Sequence, residues 1–306
     1  MAYRLSLEEG IADELRRCAR EQLIDAASGL RDRDADPVTA THEARKDLKK
    51  VRSLLRLIRG CVPAKVYRAE NARLRETARS LAGARDADVL VQTTERLAER
   101  HAGRLPSAVF ERLRAHFAAQ AERSRADAGG TGGELALGAL DTAARASDAW
   151  PVKRCDIDAL PRGAVRAYRR GRRDLTRAER DLTTENLHEW RKRVKDLWYH
   201  ARLLEEAWPR MLKAQAKEAH KLADLLGDDH DLAVLAAQLD DGGPAVAVVL
   251  DEATLRELIA RDRAELQTRA LRVGRRLYAE RPKDYRRRLE GYLRSVRSDP
   301  PSNQPP

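Results

Sequence analysis

The chain is predicted to be all-α, two helical bundles related by an internal duplication through an approximate twofold. Three observations predict it. Ala, Leu, Arg, Glu and Asp dominate the 306 residues and β-branched runs are scarce. Apolar positions recur with a period near 3.6 almost throughout, the signature of amphipathic helices. The segment Thr41 to Arg59 returns as Asn186 to Glu206, with His-Glu-x-Arg-Lys-x-x-Lys in register at an offset of 146 residues. A second anchor, Leu81 to Leu90 against Leu225 to Leu235, places Asp86 opposite Asp231 at an offset of 145. Two anchors shifted by one position across more than forty residues read as a duplication with equivalent helices facing each other.

Breakers divide the chain into elements. A helix from about Leu7 to Leu30 ends in a loop through Asp36-Pro37, because the residue before proline avoids the helical region. The first histidine helix runs from about Val38 to Arg59 and stops at Cys61-Val62-Pro63. Helices from about Lys65 to Leu81 and from Asp86 to His101 flank a short turn at Ala82 to Arg85, and another follows Pro106. Gly129-Gly130-Thr131-Gly132-Gly133 is the most flexible composition inside the body. Pro151 and Pro161 bracket the start of the second copy, so the halves are residues 1–147 and 148–298.

That copy holds a helix from about Arg162 to Arg180, the second histidine helix to Ala207, and a helix after Pro209 to Leu226. Gly227 reads as a helix end, with Asp228 and Asp229 as N-caps of a further helix from His230 to Leu239. Gly242-Gly243-Pro244 precedes a long helix from about Glu252 to Glu280, and a short one after Pro282 reaches Val296. The Pro-rich tail 299–306 is expected to be disordered.

Sixty Lys+Arg against 49 Asp+Glu give a net charge of +11, an excess that favours polyanionic partners. Aromatic residues make up only 4% of the chain, which leaves few platforms for stacking unpaired bases and disfavours single-stranded nucleic acid. Cys18, Cys61 and Cys155 are far apart and in no CxxC spacing, so neither a disulfide framework nor a zinc site is expected. A reducing compartment, the cytoplasm, is the expected location. The N-terminus lacks an apolar stretch of signal-peptide length and no window approaches a membrane span, so no membrane association is expected.

The histidine helices carry the chemistry. At 100° per residue His42, Arg45, Lys49, Arg52 and Arg56 fall within roughly 80° of one another, a ladder of positive charge. Leu48, Val51, Leu54, Leu55 and Ile58 lie opposite, giving the helix an apolar back. His188, Arg191, Lys195, Tyr199 and Arg202 repeat the front, and Lys46 and Lys192 stand beside it. In the next helix of each half Lys65, Arg68 and Arg75 line up with Arg210, Lys213 and His220, and Lys217 adds charge to the second copy. Facing rows of cations repel unless an anion neutralises them, and arginine meets phosphate oxygens bidentately. Arg96 lies off this ladder, and its removal is expected to be neutral.

His42-Glu43 and His188-Glu189 resemble the start of a metalloprotease helix, but that motif needs a histidine at i+4, where Lys46 and Lys192 stand. The histidines read instead as anion contacts whose pKa would rise beside a polyanion. Asp228-Asp229-His230-Asp231 is the densest potential metal or acid/base cluster, although capping accounts for its aspartates. No Gly-rich phosphate loop and no nucleophile elbow occur, so no catalytic residue, cofactor or metal is assigned.

With both anchors placed, the sequence resembles the CHAD family, the conserved histidine α-helical domain. The likeness rests on His42 to Arg56, Leu81 to Leu90, His188 to Tyr199, Leu226 to Leu235 and Gly274 to Lys283, and extends from about Leu5 to Arg294. It implies an all-α fold of two antiparallel four-helix bundles related by an internal pseudo-twofold duplication, with a basic central groove or channel, and non-catalytic binding of long-chain inorganic polyphosphate there, with recruitment to polyphosphate granules. By position it assigns phosphate contacts to His42, Arg45, Lys49, Arg52 and Arg56, and to His188, Arg191, Lys195 and Arg202. Trp198 stands where an arginine is common and Ala82 where glycine is usual. The E-x-E-x-K signature of a fused triphosphatase is absent, so a stand-alone binding module is expected. A nucleic-acid binder is the alternative partner reading, and a metal-dependent phosphohydrolase is less favoured.

Overall fold

A computed structural model describes residues 3–7, 10–32, 34–81, 83–128, 131–240 and 251–298, with no account of the side chains of 83–86, 125–128, 131–133, 240 and 297–298. Its elements are α1 (Ile11–Arg31), α2 (Pro37–Ile58), α3 (Ala64–Ser80), α4 (Gly83–Arg100), α5 (Ser107–Ala128) and α6 (Thr131–Asp148). They continue as α7 (Ala159–Arg180), α8 (Thr184–Leu203), α9 (Pro209–Asp240), α10 (Glu252–Leu277) and α11 (Pro282–Ser298). The chain is all-α, and among the described residues the sole β feature is an isolated bridge between Ala102 and Leu105.

Helix α1 packs on α2 and α6, and α3 packs on both of those, which closes a ring of four. In the second half α7, α8, α9 and α10 close a similar ring, with α11 lying along α7. The α4–α5 pair leans on α9, and α2 lies against both α7 and α8. The α2–α7 crossing needs glycine: a Cβ on Gly163 would stand 1.8 Å from the carbonyl oxygen of Leu57. Leu48, Val51, Leu54, Leu55 and Ile58 are all buried in the core, as the apolar back of α2 predicts. Asp36 caps α2 by accepting from the Thr39 amide at 2.9 Å with Pro37 at the first helical position, and Thr183 caps α8 through the Asn186 amide.

Several elements differ from the sequence reading. The second histidine helix ends at Leu203, and a 3-10 turn occupies Glu205–Ala207 before Pro209. Residues 131–148 form α6, whose Ala136, Leu140 and Ala143 are buried, although the glycine run suggested only a flexible segment. Gly129 and Gly130 lie outside the described residues, as do Ala82, Gly242-Gly243-Pro244 and the tail 299–306. Most consequential, Gly227 ends nothing: α9 runs unbroken for 32 residues through Gly227, Asp228 and Asp229.

The cysteine reading is also corrected. Cys61 and Cys155 form a disulfide with Cα atoms 5.3 Å apart, tying the end of α2 to the segment before α7. Their 94-residue separation hid a pairing that only the α2–α7 crossing creates. Cys18 is free and buried. No helix among the described residues is long and apolar enough to cross a membrane.

Candidate functional site

Positive charge gathers where α2, α3, α8 and α9 approach one another. Lys195 on α8 is partly buried, and burial followed by the nearby charges of Arg191 and Lys49 pushes its ammonium down to about 7. Burial together with Arg56 and Arg75 pushes the Arg52 guanidinium down to about 10. Burial is the larger cause in both, and the neighbouring cations add to it; an anion against these groups would favour their charged forms.

Two arginines are fixed by matching contacts. Arg45 Nη1 donates to the carbonyl oxygens of Leu81 at 3.1 Å and Ala78 at 3.4 Å, at the C-terminal end of α3. Arg191 Nε donates to the carbonyl oxygen of Ala223 on α9 at 3.3 Å. Ala78 and Ala223 stand 145 residues apart, the offset of the second sequence anchor. Gly227 belongs to this arrangement, since a Cβ there would lie 2.6 Å from Arg191 Nη2. The glycine makes room for a guanidinium, which is why it sits inside a helix.

The other predicted residues divide into three groups. His42, Lys49, Arg52 and His188 are partly buried near the cluster. His188 packs at a tilt against His230 with ring centroids 4.7 Å apart, and burial, Lys192, His230 and Arg191 push its imidazole down to about 4. It is therefore neutral at pH 7 in the ligand-free chain. Lys65, Arg68, Arg75, Arg210, Lys213, Lys217 and His220 are exposed on α3 and α9. His220 bonds Asp224 at 2.6 Å and meets Trp198 edge-on at 4.0 Å, while Lys213 lies 3.5 Å from Glu205. With Trp198, Lys217 and Lys221, His220 lines a cavity of about 560 Å³.

The third group is occupied within the protein. Lys46 pairs with Glu43 at 2.9 Å and Lys192 with Glu189 at 2.6 Å, each one helical turn away. Arg56 Nε is 2.6 Å from the buried Asp196. Arg202 turns toward the ring of Tyr3 at 5.7 Å. Tyr199, placed on the cationic front by its spacing, is instead in the core beside Trp198 and Tyr3.

Asp228, Asp229, His230 and Asp231 do not converge, because a continuous helix fans them around its axis. Asp229 is buried and accepts from Arg263 and Gln267 on α10, whereas Asp228 and Asp231 face Arg96 on α4 at 3.1 and 3.6 Å. Among the described residues no three His, Cys, Asp or Glu side chains gather as metal ligands do. Arg96 thus bridges α4 to α9.

Sequence reasoning missed the acid beneath the ladder. Asp196 is fully buried, takes Arg56 and Ser53 from α2, and pairs with Arg193 at 2.9 Å. At the 146-residue offset Arg193 and Asp196 correspond to Asp47 and Lys50, which pair at 2.6 Å with the signs exchanged. That inversion was the available signal, and a search for identical residues passes over it.

The fold and the site define a helical protein that brings two basic helices together. The chain belongs to the CHAD domain family, whose model matches residues 15–240. Among solved structures it is similar to the crystal structure of the CHAD domain from the plant Ricinus communis, at 18% identity and a TM-score of 0.57 over 92% of this chain and 95% of that one. This likeness supports the fold. Among curated proteins none matches the chain in sequence.

Proposed function

We propose that the chain binds long-chain inorganic polyphosphate without catalysis, in a basic groove between α2, α3, α8 and α9. The observation that carries the reading is the gathering of cations about Lys195 and Arg52: burial first, then Arg191 and Lys49 for the lysine and Arg56 and Arg75 for the arginine, disfavour their charged forms, and a run of phosphates would favour them. Arg45 and Arg191 are the central contacts, held by carbonyl oxygens that leave other guanidinium nitrogens for the ligand. His42, Lys49, Arg52, His188 and Lys195 flank them, and the exposed cations of α3 and α9 form the rims. The proposal extends to residence at polyphosphate granules in the cytoplasm, which rests on the ligand alone now that Cys61 and Cys155 pair, and to the absence of enzymatic activity.

Anisotropy titration tests it. Long polyphosphate should bind far more tightly than triphosphate, with affinity falling steeply as salt rises because neutralised phosphates release counterions. Arg45→Ala combined with Arg191→Ala should weaken binding at least about tenfold, more than either alone. Absence of a length preference, or displacement by RNA at equal phosphate concentration, defeats the proposal. Orthophosphate release with magnesium or manganese would defeat its non-catalytic part.

A further inference from the structure

Helix α7 carries a third row of arginines, one that the two histidine helices do not account for. Arg162, Arg166, Arg169, Arg173, Arg177 and Arg180 fall within roughly 80° on a helix of 3.6 residues per turn, and extend over ~27 Å. All but Arg166 are exposed. The buried side of the helix, with Gly163, Ala164, Ala167, Gly171 and Ala178, lies opposite. Few acids answer this charge. Arg173 touches Asp174, while Arg169, Arg177 and Arg180 make no ion pair among the described residues. At the 146-residue offset the first copy holds Arg16, Arg20 and Arg31 but Leu23, Ala27 and Asp34 at the other three rungs, so the unbroken row belongs to the second half alone.

The row begins where the α2 ladder stops. After Arg52 and Arg56 the next α2 rung is Arg59, whose positive charge, after burial, lowers the pKa of Arg166. Arg166 in turn donates to the carbonyl oxygen of Leu57 at 3.3 Å, fixing its guanidinium at the α2–α7 crossing. A cavity of about 920 Å³ opens at this junction, with Lys153, Arg154, Arg162 and Arg166 in its wall beside Asp156 and Asp158. At the far end of α7 a second hollow of about 580 Å³ is walled by Arg173, Arg177 and Arg180 together with Asp181.

We infer that the α7 arginine row is a second binding surface for an extended polyanion, continuing the path of a long polyphosphate past Arg59 and out of the groove. The inference rests on the polyphosphate reading of the groove. No aromatic side chain lies in the row itself, so it offers phosphate contacts and no platform for bases. A repeating anion without bases fits that face. Simultaneous engagement of groove and row makes the second contact intramolecular, so the added affinity appears only for chains long enough to reach both.

The test compares Arg169→Glu/Arg177→Glu/Arg180→Glu with wild type, using triphosphate, a chain of roughly ten phosphates and one of roughly a hundred. The long chain should lose at least about tenfold in affinity and the magnitude of its log–log salt slope should fall by about three, while the short chain binds as before. The triple lysine variant should retain most of the long-chain affinity. A charge-matched control, Arg112→Glu/Arg114→Glu/Arg123→Glu on α5, should change little. Unchanged long-chain binding overturns the inference. So does equal loss in the α5 control, or equal loss at all lengths, since bulk charge is then being read. Selective loss of RNA binding would make the row a nucleic-acid contact and also overturn it. If wild type shows no length preference, the groove reading itself has failed; if it shows one that the α7 variant keeps, only the α7 inference has.

Discussion

Arg56 on α2 and Asp196 on α8 meet at 2.6 Å, and the acid is fully buried while the arginine keeps one edge exposed. Burial would raise the Asp196 pKa, but Arg56, Arg193 and His200 outweigh it and hold the carboxyl below its ordinary range. A cation that sequence spacing assigns to ligand binding is therefore also a tie between the halves.

Removing the acid should be costly. Asp196→Ala leaves Arg56 and Arg193 beside each other without their shared anion, and breaking a buried pair in this way costs about 3–5 kcal/mol. Urea unfolding measures it. A loss under about 1 kcal/mol would show that water already neutralises the pair. Arg56→Ala should lower stability as well as binding, which makes Arg45 and Arg191 the cleaner probes of the ligand site.

Lys195 should report binding through protons. In the free chain its ammonium is held down to about 7, so a substantial fraction is neutral at pH 7.5. A bound anion favours the charged form and raises that pKa, so the complex holds more protons than the free species. Affinity should be greatest below pH 7 and fall as pH rises through and above it. Calorimetry in buffers of different ionisation enthalpy should show net proton uptake near pH 7.5, diminished in Lys195→Arg. Proton release would contradict the placement of Lys195 against the anion.

His200 should make the fold acid-sensitive. The ring is buried, its Nε2 lies 3.0 Å from the Ser53 carbonyl oxygen, and burial is the main cause that pushes it down to about 4. Because the unfolded chain takes up this proton near pH 6.5, stability present above that value declines between about 6.5 and 4. The contribution is on the order of 3 kcal/mol. Denaturation midpoints across this window should fall less steeply in His200→Gln, provided the variant folds.

The disulfide gives an equilibrium test. Joining residues 94 apart restricts the unfolded chain, and a loop of that size contributes about 4.7 kcal/mol in the chain-entropy account. Cys61→Ser/Cys155→Ser, or reduction of the wild type, should lower the melting temperature by several degrees. Peptide mapping without reductant should recover the Cys61–Cys155 pair. Identical melting with and without reductant would show that the two thiols are unbonded in solution.

What the sequence made legible follows helical periodicity. The two faces of α2 could be assigned because burial repeats every 3.6 residues, and Asp36-Pro37 set its start by local capping. What stayed hidden depended on contacts between elements. Tyr199 shares the angular position of the cations but lies where α8 meets Tyr3 of the N-terminal segment. Cys61 and Cys155 meet only because α2 crosses α7 at Gly163. Asp196 answers an arginine on the other histidine helix, and nothing in its own helix announces that partner.

Gly227 separates stability from function in a single substitution. A glycine within a helix reads as a stop, because its backbone entropy disfavours helix by about 1 kcal/mol relative to alanine. Here the helix continues, and the missing Cβ leaves space for the Arg191 guanidinium, whose Nη2 would otherwise be 2.6 Å away. The obstructing atom is the end of a flexible side chain, so Gly227→Ala should keep the fold and change stability by less than about 1 kcal/mol in either direction. The displaced Arg191 would lose its bond to the Ala223 carbonyl oxygen and its place beside Lys195. Polyphosphate affinity should therefore fall several-fold in Gly227→Ala while the melting temperature holds, and adding Arg191→Ala should produce little further loss. Full additivity of the two substitutions would mean that the glycine does not act through Arg191.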